Sequence, residues 1–175
     1  MPMSINGTPK RAADATLAPA APGPIMLMPG EGTSLSGLGV TLNFKTTGAE
    51  SDGQWLVLEY SAPPGFAGPP VHWHKVTSEI FYVLEGNLTL QAGEATIQAG
   101  PGGYAFVPPG IVHSFSNQGD TPARYLLLSS PAGLENYFQE LAELVKAEPA
   151  WPPKDPGKVV ALMAKYDTFA PPASA

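Results

Sequence analysis

Only three histidines occur in the 175-residue chain, and two of them, His72 and His74, stand one residue apart in PPVHWHKVTSEIFYVLEG at positions 69–86. Glu79 follows in the same stretch, and the third histidine, His113, closes the Gly/Pro-rich run PGGYAFVPPGIVHSFSN at 101–117. Three imidazoles and one carboxylate are a donor set for a first-row divalent metal, because neutral imidazole suits Fe, Mn, Ni, Co, Cu or Zn and a hard carboxylate oxygen offsets charge. Four protein ligands would leave one or two coordination positions open, which separates a catalytic metal from a structural one. An HxH pair by itself equally fits a surface feature or a satisfied core pair. Two facts favour the metal: every histidine of the chain lies in one of these two segments, and a buried imidazole or carboxylate without a partner is costly.

Strands can bring the four together. In extended chain, side chains two apart share a face, so His72 and His74 aim together and Trp73 points away. Glu79 opens a second strand, with Phe81 and Val83 on its face and Ile80, Tyr82 and Leu84 on the other. His113 shares its face with Phe115 and Asn117. Convergence requires the two strand pairs to lie side by side, and Phe81, Val83 and Phe115 would then form an apolar substrate wall beside the metal.

The rest of the chain supplies such strands. Short runs rich in β-branched and aromatic residues recur at 25–28, 38–46, 54–62, 79–86, 87–91, 95–99, 104–108, 113–117 and 124–130, punctuated by 19 glycines and 21 prolines. Closely spaced short strands of this kind predict an all-β sandwich or barrel. Gly86-Asn87 and Ala92-Gly93-Glu94 read as tight hairpin turns. From Pro131 the period changes: Leu134, Tyr137, Phe138, Leu141, Leu144 and Val145 fall at helical spacing, and Val159, Leu162, Met163 and Tyr166 repeat it after a proline-rich link. The expected organisation is a flexible arm over 1–24, a β-barrel over 25–130 and a helical extension over 131–175, whose helices either cover barrel surface, close a pocket or meet a second copy.

Composition narrows the partners. A formal net charge of −6 and a pI near 4.9 lack the basic footprint that nucleic acid or an anionic membrane demands. With no cysteine, zinc-thiolate and iron–sulfur sites are excluded, and a cytoplasmic location is expected. Prolines at 19, 22 and 24 interrupt any signal-like apolar run. Exposed sheet edges lead to the expectation of a homodimer.

Two ordered motifs resemble those of the cupin superfamily. The first is Gly65 or Gly68, then His72, His74, Glu79 and Gly86, with only the leading glycine loosely spaced. The second is Gly102, Pro108, Gly110, His113 and Asn117, met throughout. The resemblance implies a double-stranded β-helix (jelly-roll) barrel with two C-terminal α-helices and one divalent metal held by His72, His74, Glu79 and His113. A short spacer between the motifs resembles that of single-domain cupins, and the helical tail is similar to that of small bacterial cupins related to quercetin 2,3-dioxygenase.

That likeness implies a dioxygenase taking dioxygen and an aromatic, enolizable small molecule such as a flavonol. Glu79 is then the candidate catalytic residue, a general base whose pKa an apolar cavity would raise toward neutrality. No Arg or Lys falls on the ligand face, which disfavours a phosphorylated sugar. The alternatives are a metal-dependent isomerase or lyase, or a cupin that binds a metal or small ligand without turnover.

Overall fold

A computed structural model describes residues 23–150 and 152–171. The arm expected over 1–24 lies, but for its last two residues, outside them. The described chain runs through β1 (Thr33–Ser36), β2 (Thr41–Thr46), β3 (Leu56–Ala62), β4 (Trp73–His74), β5 (Ser78–Glu85), β6 (Leu88–Ala92), β7 (Ala95–Ala99), β8 (Tyr104–Val107), β9 (His113–Ser116) and β10 (Ala123–Ser130). It ends with α1 (Leu134–Ala147), α2 (Gly157–Lys165) and β11 (Thr168–Phe169).

The strands form a jelly roll of two facing layers. One is a six-stranded antiparallel sheet in the order β1-β2-β3-β10-β5-β8. The other joins the three strands β7-β6-β9 to the pair β4-β11 through the bridge His72↔His113. Alternation decides which side chains enter the space between them. β3 buries Leu56, Leu58, Tyr60 and Ala62 while its intervening residues stay half-exposed, and β10 buries Ala123, Tyr125, Leu127 and Ser129 by the same rule. Registers Leu58↔Leu127 and Leu127↔Phe81 stack these rows across three neighbouring strands. Each fully buried leucine contributes about 1.5–3 kcal/mol.

Two expectations need correction. Ile25–Met28 forms no strand and all four side chains are exposed. The first strand is instead polar Thr33–Ser36, held by its register on β2 (Leu35↔Leu42) rather than by hydrophobicity. Gly86-Asn87 is not a hairpin turn, because β5 and β6 belong to different sheets. It is the corner where the chain changes layers: Gly86 has φ 70°, and a Cβ there would come within 2.3 Å of the Pro122 carbonyl oxygen. Gly93-Glu94, by contrast, does close the β6–β7 hairpin, with Ala92 paired to Ala95.

The two helices lie where the period change places them. At the start of α1, Glu135 accepts hydrogen bonds from the backbone N–H groups of Gly133 (2.7 Å) and Gly48 (2.9 Å), fastening the helix to the β2–β3 loop. Lys165 (2.7 Å) and Tyr166 (2.7 Å) both donate to Glu140, joining α2 to α1. No described helix is long and apolar enough to cross a membrane.

Candidate metal centre

The structure gathers all four residues singled out by their types. His72 and His113 exchange backbone hydrogen bonds (His72 N–H to His113 O, 3.0 Å; His113 N–H to His72 O, 2.8 Å), so the segment carrying His72 and His74 lies against β9. Glu79, near the start of β5, enters from the opposite sheet. The ligand atoms of His72, His74, Glu79 and His113 lie within 4.8 Å of one another, and all four residues are buried.

The ring nitrogens are sorted by their outer partners. Nδ1 of His72 is 2.8 Å from the Pro70 carbonyl, Nδ1 of His113 is 2.9 Å from that of Ile111, and Nδ1 of His74 is 2.9 Å from that of Asp167. A carbonyl only accepts, so each Nδ1 carries a proton, and the Nε2 of a neutral ring turns its lone pair inward. Nε2 of His113 then faces Glu79 Oε2 at 2.8 Å, an approach of two acceptors that requires a cation between them or an extra proton on the ring. Nε2 of His74 is buried with no hydrogen-bond partner and sits 3.6 Å from the same oxygen. An orphaned inward nitrogen beside a buried carboxylate fits a divalent ion.

Electrostatics differ among the four residues. Burial, followed by the neighbouring His113, pushes His72 down to about 4, leaving it neutral and metal-ready at pH 7. His74 is raised, because the charge of Glu79 and the Asp167 carbonyl outweigh burial, its largest single influence. For Glu79, burial is again the largest influence and acts upward, yet His113 and His74 together hold the carboxyl at about 2. This overturns the expectation of a base poised near neutrality. In the metal-free site, hydrogen bonds and charge from His113 and His74 stabilise the carboxylate more than the apolar surroundings destabilise it, which holds Glu79 as an anion.

Residues 58–129 match the model of the cupin domain, and they contain both motifs and all four clustered side chains. The chain thus contains a cupin domain over these residues. A curated relative, quercetin 2,3-dioxygenase of Bacillus subtilis strain 168, is 37% identical over 65 residues, covering 37% of this chain. The match spans only about a fifth (19%) of that relative's length. Among solved structures, an RmlC-like cupin from Shewanella frigidimarina superposes with a TM-score of 0.54 at 18% identity, covering 67% of this chain and 99% of the other. A protein described as a predicted oxalate decarboxylase from Thermotoga maritima gives 0.51 at 21% identity, covering 57% and 90%. At such identities the two structures show the jelly-roll fold alone.

Beside the cluster this cupin holds a cavity of about 720 Å³ that includes His72, His74 and Glu79 in its lining. Of the expected wall, Phe115 lines it; Phe81 and Val83 do not. Both are 1% exposed, deeper along β5 than Glu79, and Phe81 packs against the rings of Phe115 and Tyr125 (5.3 and 6.2 Å between centroids). They are core beneath the site. The walls that sequence reasoning missed come from Tyr60, Phe66 and Leu127 of the barrel and from Tyr137, Phe138 and Met163 of the helices. Alternation along β3 and β10 could have found Tyr60 and Leu127. Nothing in the apolar stripes of α1 and α2 distinguishes a cavity roof from ordinary packing.

Proposed function

We propose that this cupin is a metal-dependent dioxygenase acting on an aromatic, enolizable small molecule of the flavonol kind. The observation that carries the reading is the cavity: about 720 Å³, walled by Tyr60, Phe66, Phe115, Tyr137 and Phe138, open to the His/Glu cluster, and without any lysine or arginine among the described lining residues. A pocket of aromatic walls and few polar groups suits a flat, uncharged ring system. Oxalate or a sugar phosphate carries two negative charges, more than a divalent ion already shared with Glu79 balances, and the described lining offers no lysine or arginine for the rest. The local likeness to the Bacillus quercetin 2,3-dioxygenase supports the same reading over the 65 residues it covers.

His72, His74, Glu79 and His113 would hold the ion, which when bound would supply Lewis acidity toward a substrate oxygen and a means of passing electrons from the ring to dioxygen. The protein's own part is positional and electrostatic. Carbonyls behind the three imidazoles fix their tautomers, and the ionised Glu79 lowers the net charge of the centre. The Tyr60 and Tyr137 rings, both lining the cavity, bring phenol groups to an otherwise apolar wall. The α1–α2 roof keeps bulk water from the reacting ring.

Oxygen uptake by protein loaded with Fe, Mn, Co or Ni, measured with quercetin and related flavonols, tests this directly. Consumption of about one dioxygen per substrate is expected, with turnover stopping in anaerobic buffer. A rate unchanged without oxygen would transfer the site to metal-dependent isomerase or lyase chemistry. Uptake of metal with no turnover of any such substrate would leave a binding protein.

A further inference from the structure

His72 and His113 each take their Nδ1 acceptor from a carbonyl two residues upstream in their own loops, whereas His74 uses the carbonyl of Asp167, 93 residues away in sequence. Asp167 follows α2 and has φ 54°, one of only two non-glycine residues with positive φ among those described. Left-handed backbone costs an aspartate about 1 kcal/mol and persists where surrounding contacts impose it. Here the conformation serves two sets of contacts. The backbone carbonyl points at His74, while the carboxylate accepts from the N–H groups of Lys75 (3.0 Å), Val76 (2.9 Å) and Thr77 (2.9 Å) and from the Thr77 hydroxyl (2.9 Å).

The two residues that follow continue the attachment. Thr168 pairs with His74 and Phe169 with Trp73, their rings 5.2 Å apart, and the Trp73 indole donates to the Ala170 carbonyl at 3.3 Å. β4 is only two residues long, and this pairing, the bridge of His72 to His113 and the Gly110 N–H bond to the His74 carbonyl (2.7 Å) hold it in place. We propose that the C-terminal tail is part of the metal centre, with Asp167 as the positioning residue that fixes the tautomer and direction of His74. The inference rests on the metal reading of the four-residue cluster. It assigns a part of the site to a residue 38 positions beyond the end of the matched domain at 129.

An acceptor behind a metal-bound imidazole typically changes metal affinity by about 10–100-fold. The full chain stripped with chelator, then titrated with Ni(II) against a competing chelator, gives the affinity; circular dichroism of the metal-free protein reports folding separately. Asp167→Ala removes the carboxylate and disfavours the left-handed backbone that aims the carbonyl, so a loss of about 10–100-fold is expected. Asp167→Asn tolerates that backbone and keeps one acceptor oxygen, and should recover part of the loss. The deciding comparison uses a His74→Ala background, where Asp167→Ala should cause no further loss.

An equal loss with and without His74 would mean that Asp167 supports the fold generally and would overturn the inference. So would unchanged affinity in Asp167→Ala while the native chain binds Ni(II). Failure of the native chain to bind any metal would instead remove the four-ligand reading, and this inference with it.

Discussion

His113→Ala is expected to lower metal affinity by more than about 100-fold and to destabilise the metal-free fold by about 3–5 kcal/mol. The two effects share one cause. His113 is 1% exposed and its Nε2 lies 2.8 Å from Glu79 Oε2, closer than His74 at 3.6 Å. Removing the ring deletes a candidate ligand and the nearer of the two imidazole partners of a buried carboxylate. The sign of the pH dependence should change as well. In the native protein the Glu79 pKa is held at about 2, below its unfolded value, so its stabilising contribution is present above the unfolded pKa and lost as pH falls toward 2. Without His113 the largest downward influence is gone and only His74 opposes burial, so the folded pKa is expected to rise past the unfolded one; the acid form is then favoured, and stability declines as pH rises through the new value. Urea melts in chelator at about pH 5 and about pH 8 check this: the destabilisation relative to native protein should be larger at the higher pH. Equal destabilisation at both would show that Glu79 is not the group left behind.

Why the four clustered residues were legible and the pocket was not follows from how far each signal reaches along the chain. His72 and His74 share a face by strand period, and His113, Phe115 and Asn117 do likewise; both rules are local, and all five residues are buried as that period requires. Eight of the expected strand runs contain an observed strand; alternation carries the buried ones, as in LVLEYSA of β3, while β7 is mostly exposed and owes its place to pairing with β6. Thr33–Ser36 escaped because it owes its strand to a partner, and Ile25–Met28 misled because a run of apolar residues without a partner has no sheet to join. Glu79 illustrates a subtler limit. Its burial was expected, and with it a raised pKa, but the net direction depends on two imidazoles whose distances no sequence period fixes. Asp167 lies further out of reach: a lone aspartate between a helix and two strand residues looks like any turn residue until its carbonyl is seen behind His74.

Gly68→Ala should destabilise the protein by about 3 kcal/mol or more, whereas Gly65→Ala, three residues earlier, should cost about 1 kcal/mol. Either glycine could stand as the leading residue of the first motif by sequence, and both have positive φ, 67° for Gly65 and 83° for Gly68. Their surroundings differ. A Cβ on Gly65 would meet nothing within 4 Å, so the penalty is that of the left-handed backbone alone. A Cβ on Gly68 would fall 1.7 Å from the Phe115 carbonyl oxygen and 2.9 Å from its carbon, and backbone of a central strand has little freedom to move aside. The segment cannot simply swing outward, because Phe66 accepts from Asn117 N–H at 2.9 Å on one side of Gly68 and His72 pairs with His113 on the other. Relieving the clash therefore separates the strand of His113 from the segment of His72, and Gly68→Ala should also weaken Ni(II) binding by about 10-fold or more, comparable to losing the support behind a ligand. Denaturant midpoints of the two variants, with affinities by chelator competition, separate the cases. If Gly65→Ala proved the more damaging, the close crossing at Phe115 would not be what places the HxH pair. If Gly68→Ala lost stability with native affinity, the two strands would be shown to hold the ligands independently of that crossing.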